Sequence, residues 1–174
     1  MTAHKSSKKR NESDLAAGGV CPLCSDRATL PRWIVQARAD ALGILLPRLA
    51  HATVEELRAV WYNNDSKIIG STMLARGSDR AMTVSSRELC RAALKVNAYF
   101  VILGHSHPAS GAIASEEDLK ATDTMRAALA TIGISLIDHL IVGHSGVWAW
   151  LAVQHPPKGW KQRLARLAKK HTRS

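Results

Sequence analysis

The stretch His105-Ser106-His107-Pro108-Ala109-Ser110-Gly111-Ala112-Ile113-Ala114-Ser115-Glu116-Glu117-Asp118 constrains this chain more than any other, because it asks for a strand, a loop and a helix start in fixed order. Tyr99 to Leu103 is a short apolar run that reads as a buried strand leading straight into His105. On an extended segment, residues i and i+2 point to one side, so His105 and His107 face the same way. Ser115 and Asp118 have the spacing of a capping box at the start of the next helix. The seven-residue loop between them, with Pro108 and Gly111, can fold that first turn back onto the histidines. Two imidazoles and a carboxylate are ligands for a hard-to-borderline metal such as zinc. The fourth zinc position would be open for water, the mark of a metal-dependent hydrolase, with Ser115 beside it. Either pair alone would be an ordinary helix cap or a structural histidine; the joint spacing after a buried strand is what points to a metal. Asp118 carries a conflict, since a carboxylate that ligates a metal cannot also be fully engaged in capping its own helix.

The rest of the chain supplies a domain for this motif. Pro31 to Leu49 reads as a helix, with Trp33, Ile34, Ala37, Ala41, Leu45 and Leu49 at helical spacing and Pro47 weakening its last turn. Leu57 to Tyr62 and Lys67 to Ala75 read as strands joined by the turn Asn63-Asn64-Asp65-Ser66. Val84 to Asn97 follows as a helix, with Ser85 and Glu88 spaced as a capping box. Ser115 to Ile132 reads as a helix carrying Leu119, Thr122, Met125, Leu129 and Ile132 on one face. Ser135 to Val142 and Gly146 to Ala152 read as strands, and Lys158 to His171 as a short basic helix. This order predicts an α/β domain with a mixed sheet and helices on its faces.

Charge and cysteine content narrow the class. Of the 24 basic residues, four lie in residues 1–10 and seven in residues 155–174, with no acid in either stretch. The formal net charge of +10 therefore belongs to the ends, not to the candidate site. Trp160, Leu164, Leu167 and His171 give the last helix an apolar stripe beside a basic face, which suits either docking on the domain or contact with nucleic acid. The three cysteines Cys21, Cys24 and Cys90 form no disulfide framework and fit a reducing compartment. Cys21-Pro22-Leu23-Cys24 looks like half of a zinc knuckle without its second half, so inert thiols, a structural metal and a redox pair all stay open. The first fourteen residues lack an apolar signal region, and there is no run long enough to span a membrane, so a cytoplasmic protein is expected. A zinc deaminase would need H-x-E with a downstream P-C-x-x-C, which the chain lacks.

The pattern H-S-H-P-x6-S-x-x-D resembles the JAB/MPN/JAMM metallopeptidase superfamily, and Asp138-His139-Leu140-Ile141-Val142-Gly143 resembles the D-H-L-I-V-G signature of its RadC-type branch. The resemblance covers roughly residues 53–150. It implies a three-layer α/β/α, cytidine-deaminase-like fold and one catalytic Zn²⁺ held by His105, His107 and Asp118. It also implies that Ser115 stabilises the tetrahedral intermediate. The family's catalytic glutamate lies in a run resembling E-x-F-x-x-L-x-L-D, which Glu55 to Asn63 fits best with Glu55 as the base and Glu56 as its rival. Only one of the two can face the metal from a strand. The branch usually reads H-N-H-P-S-G, so Ser106 and Ala109 raise the expectation of altered substrate contacts. No G-x-G hairpin precedes the domain; one helix and the basic arm stand in its place.

These readings divide the chain into a basic arm with the C-x-x-C (1–30), an N-terminal helix (31–52), a metal-binding JAB/MPN domain (53–153) and a basic tail (154–174). The expected function is zinc-dependent hydrolysis of a peptide or isopeptide bond by metal-activated water. The alternative is a nucleic-acid-associated module that binds without cutting, since the RadC-type branch carries an association with DNA repair.

Overall fold

A strand buried on both faces organises the chain. In the computed structural model, which describes residues 30–77 and 84–154, β3 (Phe100–His107) is the middle strand of a five-stranded sheet and is buried along its whole length. The others are β1 (Glu55–Tyr62), β2 (Ile68–Gly77), β4 (Ser135–Gly143) and β5 (Trp148–Trp150), in the order β2-β1-β3-β4-β5. β1 runs antiparallel to β2 and to β3, β4 parallel to β3, and β5 antiparallel to β4. A parallel pair needs a crossover, and α3 (Glu116–Thr131) supplies it.

Helices cover both faces. On one lies α1 (Arg32–Leu49), whose Ile34, Ala37, Ala41, Leu45 and Leu49 meet Val60, Tyr62, Ile102, Leu140 and Val142. On the other lie α2 (Ser86–Lys95) and α3, whose Leu89, Ala93, Met125 and Leu129 meet Leu57, Ala59, Trp61, Val101 and Leu103. The result is the expected α/β/α sandwich with a mixed sheet.

The elements follow their predicted positions, and α1 ends at Leu49 as expected, with Pro47 inside it. Two elements differ. β3 continues past the apolar run to His107, so both histidines belong to the regular ladder with β4. The last strand covers only Trp148–Trp150; a 3-10 turn at His144–Gly146 precedes it, and Leu151–Gln154 forms a short helix, α4. Trp150 is buried and Trp148 partly buried against the same core cluster. The basic arm with Cys21 and Cys24 and the expected helix over 158–171 lie outside the described residues. No helix among the described residues is long and apolar enough to cross a membrane.

Two features fix how α1 meets the sheet. The first is Gly104 on β3. A Cβ there would stand 2.9 Å from Leu45 Cδ1 and 3.0 Å from Leu49 Cδ1, so glycine allows the helix to lie close. The second is an irregularity in β4. Pairing along β3 jumps from Leu136 opposite Val101 to Asp138 opposite Ile102, which leaves Ile137 as an extra residue. Leu136 belongs to the α2/α3 side, whereas Ile137, Leu140 and Val142 belong to the α1 side. The bulge thus turns Asp138 toward α1 and His139 toward the opposite face.

Asp138 is 1 % exposed and ion-pairs with Arg38 of α1, whose guanidinium also lies 5.4 Å from the Trp150 ring centroid. One Asp138 carboxylate oxygen accepts from the backbone N–H groups of His139 (2.8 Å) and Ala152 (3.1 Å). Burial pushes this carboxyl up, against the Arg38 charge and these two N–H donors. Breaking such a pair strands a buried charge, so Asp138→Ala should cost about 3–5 kcal/mol in urea unfolding. Replacing both partners, Asp138→Leu with Arg38→Met, should recover part of that loss. A single mutant as stable as the wild type would contradict this role.

Candidate metal centre

His105 and His107 occupy alternate positions at the end of β3 and share the α2/α3 face with Leu103. Asp118 is the third residue of α3. The loop between them returns α3's first turn to the end of β3, so one potential ligand atom from each of the three residues lies within 4.8 Å of the others. His105 Nε2 is 2.6 Å from His107 Nε2 and 3.1 Å from Asp118 Oδ1, and His107 Nε2 is 3.3 Å from Asp118 Oδ2. Both histidines are buried, and the Asp118 side chain is 19 % exposed, so the cluster is open to solvent on the helix side.

The Asp118 carboxylate makes contacts with both the helix cap and the histidines. Asp118 Oδ2 accepts from the Ser115 backbone N–H at 2.8 Å and from Ser115 Oγ–H at 2.7 Å, while Ser115 Oγ accepts from the Asp118 N–H at 3.1 Å. This is a complete capping box, and Oδ1 remains directed at His105. Asp118 therefore caps its helix and joins the cluster at once. Ser115 is solvent-exposed at the rim with its hydroxyl proton given to Asp118.

The donor set fits a borderline divalent metal. Two imidazole nitrogens and a carboxylate at these separations bring together lone pairs that only a shared proton or a cation can reconcile. Burial alone would raise the Asp118 carboxyl, but hydrogen bonds from His105, His107 and Ser115 and the His105 charge overcome it and hold the group well below the usual carboxylate range. The hydrogen bond with Asp118 raises His107 against the effect of burial, and the Glu55 charge adds to the rise. The carboxylates thus concentrate cation affinity on this one spot.

The two candidate glutamates lie on opposite sides of β1. Leu57 pairs with His105, so Glu55, two residues earlier, falls on the face of the histidines. Glu56 pairs with Arg76 across the sheet and is buried, with Oε2 accepting from Arg58 Nε at 2.9 Å and Oε1 3.5 Å from Arg76 Nε. Ser106 also points away from the cluster. Its Oγ accepts from the Glu56 N–H at 3.0 Å and donates to the Val54 carbonyl at 3.2 Å, tying the start of β1 to β3. Ser106 is thus used on β1, not on the histidine face.

Two further polar residues reach the cluster. His139 Nε2 lies 2.9 Å from His105 Nδ1, and Thr122 Oγ1 lies 2.8 Å from His139 Nδ1. Burial, chiefly, and the neighbouring His105 push His139 well below the ordinary histidine value. Sequence reasoning placed Thr122 only on the inward face of its helix and His139 only in a signature. The signals present were the spacing of Thr122 four residues after Asp118 and a histidine in an otherwise apolar strand.

The last residue of the D-H-L-I-V-G stretch positions the loop. A Cβ on Gly143 would fall 2.5 Å from Gly111 C, 2.6 Å from Ala112 N and 2.8 Å from Ser110 O, all backbone atoms that have no rotamer to yield. His144 then holds the same loop, donating its backbone N–H to Ser110 O at 2.7 Å and placing Nδ1 3.1 Å from Pro108 O. Gly143→Ala must displace the segment that sets Asp118 against the histidines. Its zinc affinity, measured by chelator competition, is expected to fall by about 10-fold or more with helix content retained. Unchanged affinity would contradict this function of the glycine.

Comparison with known proteins bears on the same residues. The sequence profile of the RadC-like JAB domain matches residues 35–154. A UPF0758 protein of Clostridium novyi (strain NT) is 30% identical over 113 residues, covering 65% of this chain and 50% of its own length. One from Symbiobacterium thermophilum is 34% identical over 102 residues, covering 59% and 44%. One from Bordetella bronchiseptica is 36% identical over 134 residues, covering 74% and 60%. The chain spans about half the length of the curated relatives it matches. With the profile extending from α1 through both histidines, Asp118 and Gly143, the chain belongs to the RadC-like JAB domain family.

Proposed function

We propose that this protein is a zinc-dependent hydrolase of the JAB type that cleaves a peptide or isopeptide bond. The observation that carries the reading is the strand register: Leu57 opposite His105 aligns Glu55 with the face of His105 and His107, while Glu56 is held by Arg58 and Arg76 on the other. His105, His107 and Asp118 are the residues that would hold the ion. Bound there, zinc supplies an acidified water and polarises a carbonyl oxygen.

The chain's own groups supply the proton chemistry. Glu55 takes the proton of the attacking water and returns it to the leaving nitrogen as the C–N bond breaks. Ser115, turning its hydroxyl from Asp118 Oδ2 toward the substrate, donates a hydrogen bond to the carbonyl oxygen as negative charge gathers there. Divergent roles for adjacent glutamates give the test. With fluorogenic peptides and lysine-isopeptide substrates, Glu55→Gln should lower kcat by about 10²–10⁴-fold, the usual contribution of a positioned base, with zinc content unchanged. Glu56→Gln should remain active. Full activity in Glu55→Gln contradicts the mechanism, and salt-dependent DNA binding without any chelator-sensitive cleavage would favour the binding module instead.

A further inference from the structure

A backbone carbonyl sets the direction in which the hydrogen bonds behind the cluster begin. Thr122 Oγ1 lies 2.6 Å from the Asp118 backbone carbonyl, which can only accept, so the hydroxyl donates there. The threonine oxygen then faces His139 Nδ1 at 2.8 Å as an acceptor, and Nδ1 carries the hydrogen. His139 is 2 % exposed, and its two ring nitrogens meet a hydroxyl and an imidazole, not a carboxylate. Its other nitrogen, Nε2, lies 2.9 Å from His105 Nδ1. His105 Nε2 is the atom that faces His107 and Asp118, so a His105 that ligates an ion there carries its ring hydrogen on Nδ1 and donates it to His139 Nε2.

We propose that His139 and Thr122 are positioning residues that lock His105 in the tautomer and ring orientation able to ligate through Nε2, by a hydrogen-bonded path that starts on the backbone of Asp118. The inference rests on the metal-binding reading above. The path joins two ligand-bearing elements, α3 and β3, through β4, so the ligands are set relative to one another by the protein. His107 has a weaker support of this kind, with Nδ1 3.3 Å from the Gly111 carbonyl in the loop. The β4 bulge makes the path available, since without it His139 would point toward α1.

Zinc dissociation constants from chelator competition, on the full chain, test this. Thr122→Val keeps the shape and removes the hydroxyl, and His139→Leu removes both ring nitrogens. Each should bind zinc about 10–100-fold more weakly than the wild type, the usual cost of losing a partner of a ligating histidine. Thr122→Ser, which keeps the hydroxyl, should restore near wild-type affinity. In long-range ¹H–¹⁵N spectra of the zinc-loaded wild type, His105 should be protonated on Nδ1 and metal-bound through Nε2. Wild-type affinity in Thr122→Val overturns the inference even if His139→Leu fails to fold, and so does His105 binding through Nδ1. A wild type that takes up no zinc at this site overturns the metal-binding reading and the inference with it, an outcome distinct from the other two.

Discussion

β3 has to satisfy opposite demands on its two faces within four residues. Toward α1 it presents Gly104 and Ser106, one with no side chain and one with a small hydroxyl. Gly104 lets Leu45 and Leu49 approach to distances that a Cβ would prevent, and Ser106 bonds to the backbone of β1. Toward α2 and α3 the same strand presents His105 and His107, buried and with their Nε2 atoms 2.6 Å apart. Alternation along one strand thus divides a packing surface from a polar site, and the remaining elements are arranged to serve one side or the other.

β4 repeats this division with an added bulge. Asp138 lies on the packing side, where it holds Arg38 of α1, and His139 lies on the site side, against His105. Gly143 ends the strand where the backbone of residues 110–112 presses against it. The D-H-L-I-V-G stretch is therefore three physical requirements in sequence: an anchor for α1, a partner for His105 and room for the loop. β1 contributes in the same manner, with Glu56 tied to arginines on one side and Glu55 left to the other.

Local spacing made part of this legible. The alternation of His105 and His107 and the capping-box spacing of Ser115 and Asp118 depend on a few neighbouring residues, and both are present as read. The mixed sheet and its covering helices followed from apolar periodicity. What was not legible depends on contacts between distant segments. Simple alternation from Leu136 would have turned His139 toward α1; the extra residue at Ile137 reverses it, and nothing in an apolar run announces a bulge. Which of Glu55 and Glu56 shares a face with the histidines needed the pairing of Leu57 with His105, which sequence spacing cannot supply. Asp118 can cap its helix and still face both histidines because its two oxygens make separate contacts, Oδ1 to His105 and Oδ2 to the Ser115 cap and His107.

We propose that His105, His107 and Asp118 form one metal site set up by these pairings. The most direct measurement is zinc content per chain by elemental mass spectrometry, for the wild type and for Asp118→Ala. Asp118→Ala is expected to hold one equivalent fewer than the wild type, whether or not Cys21 and Cys24 bind metal. Equal zinc content in the two proteins would contradict it.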